Sequence, residues 1–343
     1  MKIVLAGGSG HLGGLLSGHF GRTGHEVVVL SRAATTAAAN GGRAAAVAAG
    51  RGQVRPVAWD GRTVGPWAAE LDGADAVINL AGRSVDCRYT KENLRDMFDS
   101  RVDSTRALGA AIAAVARPPR VWLQSSTATI YAHRFDAAND EASGVIGGAE
   151  PDAPPYWRFS IDIASAWEAE LSRAATPATR KVALRTAMVM SRTPRSVFAV
   201  LLRLTRLRLN GAMAGGRQYV SWIHERDFVR ACDWLLTRDD FAGVVNVCAP
   251  EPLPQREFAR QLRSAAGVRL GLPAAAWMLE LGAVVLRTDS ELLLKSRRVV
   301  PGRLLQAGFA FDSPRWAEAA AELVGRRGAD PAGPSAAPAV AGA

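Results

Sequence analysis

The chain has 343 residues, 48% hydrophobic and 22% charged, a balance that allows a large buried core and excludes a disordered or fibrous chain. Its formal net charge of +10 is carried by arginine, because lysine occurs only at Lys2, Lys91, Lys181 and Lys295, and the basic residues alternate with Asp and Glu instead of forming one block. The dispersed Cys87, Cys232 and Cys248 exclude a disulfide framework and lack metal-ligand spacing, so no metal site is expected.

In chain order, Lys2–Ala6 reads as a buried strand, His11–Arg22 as a helix and Glu26–Leu30 as a second strand. The apolar run after Lys2 breaks at Gly7, too early for a secretory signal core, which leads to the expectation of a cytoplasmic protein. Residues Ala33–Gly50 are an Ala/Gly-rich excursion, expected to be mobile. Val54–Ala58 and Asp75–Leu80 are further strands. A long helix, Lys91–Ala116, is stopped by Pro118-Pro119 and followed by a strand over Val121–Ser125. Ile161–Ala174 is helical and Lys181–Met188 is a sixth strand. This alternation predicts an α/β fold, a Rossmann doubly wound parallel sheet over 1–190 with right-handed crossovers.

Beyond Ser191 the pattern changes to Arg/Leu-rich helix, turn and isolated strand. A smaller C-terminal α+β substrate domain is therefore expected over 191–325, with segments around 222–250 packing back on the first, and a disordered tail over 326–343. Leu270–Leu286 is the longest later apolar stretch; Pro273 and Glu280 interrupt it, so it reads as a core helix and no membrane span is expected. Arg203, Arg206 and Arg208 alternate with leucine, as snorkelling side chains of an amphipathic helix do, and with Arg297-Arg298 they suggest no nucleic-acid partner.

The first motif is Gly7-Gly8-Ser9-Gly10-His11-Leu12-Gly13, between a strand and a helix. Gly7 permits the tight turn, Gly10 admits a pyrophosphate close to the backbone, and Gly13 allows helix and strand to touch. Free N–H groups and the positive dipole end at the start of the helix then face the phosphates. The second strand ends Val29-Leu30-Ser31-Arg32, without the acid that binds ribose hydroxyls in NAD proteins. Arg32 offers a planar guanidinium, and Ser31 a hydroxyl, suited to a 2′-phosphate. These residues predict NADP(H) as cofactor.

The G-x-x-G-x-x-G spacing resembles the short-chain dehydrogenase/reductase superfamily. Ser125-Ser126-Thr127-Ala128-Thr129-Ile130-Tyr131 resembles the Ser/Thr-rich segment of its extended, epimerase-like branch, and Ser221-Trp222-Ile223-His224-Glu225-Arg226-Asp227 resembles a later segment of that branch. Ser100-Arg101-Val102, Trp167-Glu168, Arg185-Thr186, Gly216–His224 and the run from Val300-Pro301 to Phe311 are similar to an atypical "epimerase family" subgroup that carries a C-terminal domain of unknown function (DUF1731). The resemblance covers residues 1–325. It implies that Asp60 contacts adenine and that Leu80, Ala81 and Gly82, after Asn79, lie along the cofactor. Arg101, Ser125 and Arg185 join this set, and the guanidinium groups of Arg101 and Arg185 are also candidates to clamp an anionic substrate or stabilise an enolate. A homodimer through the two long helices is implied as well.

The extended branch uses a Ser or Thr hydroxyl, a Tyr and a Lys four residues later, the cation being needed because a tyrosine titrates near 10 unperturbed. Thr127 fills the hydroxyl position. Counting back from Glu168 puts Ser160 at the Tyr position and Ala164 at the Lys position, and the helix Ile161–Leu171 contains no lysine. The candidate substitutes are Tyr131 and His224, with Asp227 three residues on, and the carboxylate of Glu141. Ala128-Thr129 follows Thr127 where sugar-nucleotide dehydratases place Asp-Glu, which argues against that reaction. Two readings stay open: an NADP(H)-dependent oxidoreductase or epimerase acting on a small carbonyl or sugar-like molecule, and a non-catalytic NADP(H)-binding protein acting through a partner.

Overall fold

The structure, a computed structural model, describes residues 1–32, 47–49, 52–85, 87–151, 153–194, 196–274 and 291–325. Strands β1 (Lys2–Ala6), β2 (Glu26–Ser31), β3 (Val47–Ala49), β4 (Gly52–Ala58), β5 (Ala76–Asn79), β6 (Val121–Thr127), β7 (Arg180–Thr186) and β11 (Gly243–Val247) form one sheet in the order β11-β7-β6-β5-β1-β2-β4-β3. Only the edge strand β3 is antiparallel, pairing Val47 with Val54; the other seven strands run parallel. Helices α1 (His11–Arg22), α2 (Lys91–Ala114), α3 (Arg158–Arg173) and α5 (Glu225–Thr237) flank the sheet.

Central strands such as Ile3-Val4-Leu5-Ala6 are apolar without interruption because both faces are covered. Successive side chains point to opposite faces. Ile3, Leu5, Ile78, Leu123 and Leu184 meet Leu16 and Phe20 of α1 and Phe228 and Leu235 of α5. Val4, Val77, Trp122 and Ala183 meet Leu108, Ala111 and Ile112 of α2 and Leu171 of α3. Thr90 caps α2, its side chain accepting from the Asn93 N–H.

Part of the remaining chain packs around a third cluster. It joins α4 (Val197–Arg206), α6 (Gln255–Ala266) and α9 (Trp316–Val324) through Phe198, Phe258, Leu262 and Leu323, with Trp316 stacked on Phe258 at 4.1 Å. Two small ladders cross this region: β8 (Met188–Met190) parallel to β10 (Trp222–His224), and β9 (Tyr219–Val220) antiparallel to β12 (Leu253–Pro254). The short helices α7 (Glu291–Leu294) and α8 (Gly302–Gln306) complete the described elements.

The expected sixth strand Lys181–Met188 is two strands. β7 ends at Thr186 in the main sheet, while β8 leaves it to pair with β10. Residues after 190 return to the main unit, with α5 in its core and β11 beside β7. The Leu270–Leu286 core helix is corrected over its described part. Leu270 and Leu272 are exposed, and the Leu272 N–H donates to the Arg208 carbonyl in irregular backbone; 275–286 lie outside the described residues. The same holds for the 326–343 tail and for the Ala33–Gly50 excursion, apart from the strand Val47–Ala49. Among the described residues, no helix is long and apolar enough to cross a membrane.

Candidate functional site

The sheet order reverses at β1, which has β2 on one side and β5 on the other. Crevices outside the carboxyl ends of strands at such a switch point are where doubly wound folds bind ligands. The Gly7–Gly13 turn sits there. Gly7 has φ +72°, and a Cβ on it would lie 2.7 Å from the Ala81 backbone, so the cradle touches the turn after β5. A Cβ on Gly13 would stand 2.3–2.5 Å from the Gly8 backbone, which is the close helix–strand contact expected of this position. Ser9 and Gly10 are exposed at the rim, and a Cβ on Gly10 would meet only the Gly7 carbonyl, at 3.7 Å. No side chain caps α1 and its first turn has no acid, so its N–H groups and positive end face the crevice. His11 and Leu12 contribute backbone here. The His11 ring nitrogen Nε2 lies 2.6 Å from Ser191 Oγ, and burial lowers its pKa.

On the far side of the crevice, Asn79 is fully buried. Its amide donates to Gln124 Oε1 at 3.1 Å and its Oδ1 accepts from the Ala81 N–H at 3.0 Å, holding Leu80, Ala81 and Gly82 in place. Arg101 lies against Gly82, whose added Cβ would come within 3.2 Å of Cζ. Its Nη1 donates to the Met97 carbonyl at 2.9 Å and its guanidinium rests 5.1 Å from the Trp167 ring. Desolvation brings its pKa down to about 10, and no carboxylate pairs with it among the described residues. At the end of β2, Ser31 is buried, its carbonyl accepting from the Trp59 N–H, and Arg32 is exposed. Asp60 faces solvent, but its carboxylate accepts from the Arg62 and Thr63 N–H groups and from Thr63 Oγ1, so it shapes its own turn.

Thr127 ends β6, with Ser125 two residues back on the same face. Thr127 Oγ1 accepts from the Thr129 N–H at 3.1 Å, which leaves its own proton available to a ligand. Tyr131 does not join Thr127 as an acid. It is 1% exposed, its hydroxyl donates to Asn246, and burial raises its pKa despite the Arg185 guanidinium 4.8 Å from the ring. Arg185 is no clamp either. It forms a two-bond pair with Glu168 at 2.9 and 2.8 Å, and Glu168 also accepts from Ser126; this pairing outweighs desolvation and raises the arginine's pKa. His224 is 1% exposed and caps α5, Nδ1 accepting from the Arg226 N–H, with Glu322 of α9 3.8 Å from Nε2. Asp227 holds the Asp312 and Ser313 N–H groups. Glu141 is spent on the Asn246 and Arg303 N–H groups. The Tyr131 hydroxyl, the Arg185 guanidinium and the Asp227 and Glu141 carboxylates are thus engaged inside the protein, and His224 is engaged through Nδ1, while its buried Nε2 has no hydrogen-bond partner among the described residues.

Sequence reasoning missed a group delivered from the C-terminal region. Glu291, Lys295 and Arg297 are buried to within 1%, 2% and 7% exposure. Lys295 Nζ donates to the Thr129 carbonyl at 2.8 Å, Arg297 Nε donates to Thr129 Oγ1 at 3.0 Å, and Ser160 Oγ donates to Glu291 Oε2. The motif around Tyr219 and Ser221 anchors this segment. Tyr219 N–H donates to Ser296 Oγ, and the Tyr219 carbonyl and Ser221 Oγ bind Arg297 and Val299 backbone groups. The signal in the sequence was a lysine in a lysine-poor chain, four residues after a glutamate. Among the described residues, no group of three His, Cys, Asp or Glu side chains could hold a metal ion.

Residues 3–248 match the model of the NAD dependent epimerase/dehydratase family, and 274–323 match a domain of unknown function, DUF1731. The human protein "Epimerase family protein SDR39U1" is 28% identical over 327 residues, covering 94% of this chain and 100% of its own. "Epimerase family protein YfhF" of Bacillus subtilis is 26% identical, covering 91% of this chain and 94% of its own. The crystal structure of human SDR39U1 (isoform 2) with NADPH superposes with a TM-score of 0.78 at 27% identity, over 94% of this chain and 99% of that one. A nucleoside-diphosphate sugar epimerase from Corynebacterium glutamicum shares the fold with a TM-score of 0.69 at 21% identity, over 95% of this chain and 58% of that one. The chain belongs to the NAD dependent epimerase/dehydratase family.

Proposed function

We propose that the chain binds NADP(H) across the Gly7–Gly13 cradle and uses it to reduce or epimerise a small carbonyl or sugar-like molecule held beside Thr127. The observation that carries this reading is the uncapped, acid-free start of α1 at the switch point, with Gly10 open to a phosphate and Arg32 where an NAD protein keeps a carboxylate. The residues present fit the dinucleotide: glycines where backbone must approach it, N–H groups for the pyrophosphate, a guanidinium for a 2′-phosphate. That a relative of 27% identity is solved with NADPH supports the same assignment. When bound, the nicotinamide supplies or accepts hydride. Thr127 orients the substrate oxygen through its free proton, and Arg101, with no carboxylate paired to it among the described residues, favours negative charge developing near Gly82.

The test is a fluorescence titration of the protein with NADPH and with NADH. Arg32→Asp is expected to weaken NADPH by about 10- to 100-fold, the range of one or two charge-assisted hydrogen bonds, and to leave NADH unweakened. Equal affinities of the wild type for the two dinucleotides would overturn the NADP(H) assignment. A second reading, a dinucleotide-binding protein without turnover, draws on Ser160 and Ala164 standing where Tyr and Lys act in the extended branch. Consumption of NADPH with a panel of small aldehydes and ketones separates the two.

A further inference from the structure

The turn Ala128–Ile130 has Thr127 at its start, and the Thr129 N–H reaches back to the Thr127 hydroxyl at 3.1 Å. The same Thr129 turns its carbonyl to Lys295 Nζ at 2.8 Å. The lysine therefore sits one short turn from the substrate hydroxyl position. Glu291, one helical turn before it, places Oε1 3.7 Å from Nζ, and its other oxygen accepts from Ser160. Ser160 occupies the position that carries the tyrosine in the extended branch. Lys295 also lines a cavity of ≈ 400 Å³ with Trp157, Ile161, Glu150 and Arg158. Burying an ion pair in a protein interior is weak support for stability, because desolvation offsets the attraction. A titratable group that burial and a charge partner both perturb, in the lining of a cavity, is a candidate functional residue.

We propose that Lys295 is the proton donor of this site, held over the Thr127–Thr129 turn by Glu291 as positioning residue, and that together they stand in for the Tyr–Lys pair toward a small aldehyde, ketone or matching alcohol in the cavity that Lys295 lines. This rests on the NADP(H)-dependent reading above. In the reductive direction, hydride from the reduced nicotinamide arrives at the carbonyl carbon, the C=O π pair moves to oxygen, and that oxygen takes a proton from Nζ. Water then reprotonates the neutral amine; oxidation of the alcohol runs the same transfers in reverse. The charges facing Lys295 suit the role. Burial draws its pKa down to about 8 and Arg297 pushes the same way, while Glu291 and Glu150 hold the proton on. An amine with that value exchanges protons near neutrality, which an ordinary lysine, at about 10.4, does not.

The test uses the full chain. Its lysines are Lys2, Lys91, Lys181 and Lys295, so lysine 13Cε NMR resolves each titration, with Lys295→Met giving the assignment. The expected result is one lysine with a midpoint near 8, lowered further in Glu291→Gln because a counter-charge is lost. Lys295→Arg keeps the buried charge but cannot release a proton. It is expected to keep NADPH affinity and the far-UV circular dichroism spectrum, and to lose about 100-fold or more of the NADPH-dependent rate. A Lys295 midpoint at the ordinary value, or a Lys295→Arg variant as fast as wild type, overturns the proposal and leaves the NADP(H)-dependent reading standing. A wild type that binds no NADPH or turns over no carbonyl overturns that reading, and this proposal with it.

Discussion

Tyr131 donates its hydroxyl proton to Asn246 Oδ1 at 2.9 Å, tying the turn after β6 to the edge strand β11. Asn246 is itself fully buried, donates from Nδ2 to the Val300 carbonyl at 3.0 Å and from its backbone to Glu141. The tyrosine is a strut in a network that locks the C-terminal segment to the sheet. Tyr131→Phe would leave a buried acceptor short of a donor, a cost of about 1–3 kcal/mol. Urea unfolding is expected to show that loss, while NADPH affinity and turnover per folded molecule stay at wild-type values. A variant of unchanged stability with a hundredfold slower rate would restore the tyrosine as the acid.

His224 makes stability fall with acidity. Its pKa is lowered, first by burial and then by Arg226 and Arg192, against Glu322 and Asp227, which raise it. Below the ordinary histidine value of about 6.5 the unfolded chain takes up a proton that the folded chain resists. The stabilising contribution is thus complete above about 6.5 and is lost as the pH falls below it. His11 and His25 shift in the same direction and add to the effect. His224→Asn keeps a side chain that caps α5 well, so at pH 7 the change is expected to stay within about 1 kcal/mol. Thermal melts between pH 7.5 and about 5.5 should show a shallower decline for the variant, bracketing the histidine range. Parallel wild-type and variant curves would exclude the histidine as a contributor.

Two glycines of the cradle separate folding from binding. An alanine at Gly13 drives a Cβ to 2.3–2.5 Å from the Gly8 backbone, and neither rigid element can yield cheaply. Gly13→Ala is expected to lose about 3 kcal/mol or more of stability, the upper end for overpacking. At Gly10 the nearest atom to an added Cβ is 3.7 Å away, so Gly10→Ala should cost about 1 kcal/mol or less in unfolding experiments. The methyl group would instead occupy the space that the proposed function gives to the pyrophosphate. NADPH affinity is expected to fall about tenfold or more, equivalent to about 1.4 kcal/mol. Unchanged affinity in Gly10→Ala would place the phosphates elsewhere.

The doubly wound sheet and the phosphate cradle were legible in the sequence because both depend on short-range rules. An uninterrupted apolar run such as Ile3–Ala6 marks a strand covered on two faces, and the Gly7–Gly13 spacing follows from how closely one turn, one strand and one helix can approach. The chemistry of the site depends on partners far apart in the chain. Tyr131 and Asn246 are 115 residues apart, and Ser160 and Glu291 are 131 apart; no periodicity or spacing records such pairings. A local motif states which side chains are available. Only the folded topology decides which of them are already satisfied, as with Arg185 on Glu168. It also decides which are brought to the cavity, as Lys295 is through the anchors at Tyr219 and Ser221. The cradle belonged to the sequence, and the placing of Lys295 over the Thr127–Thr129 turn to the tertiary structure, because burial and hydrogen-bond satisfaction are properties of the assembled chain.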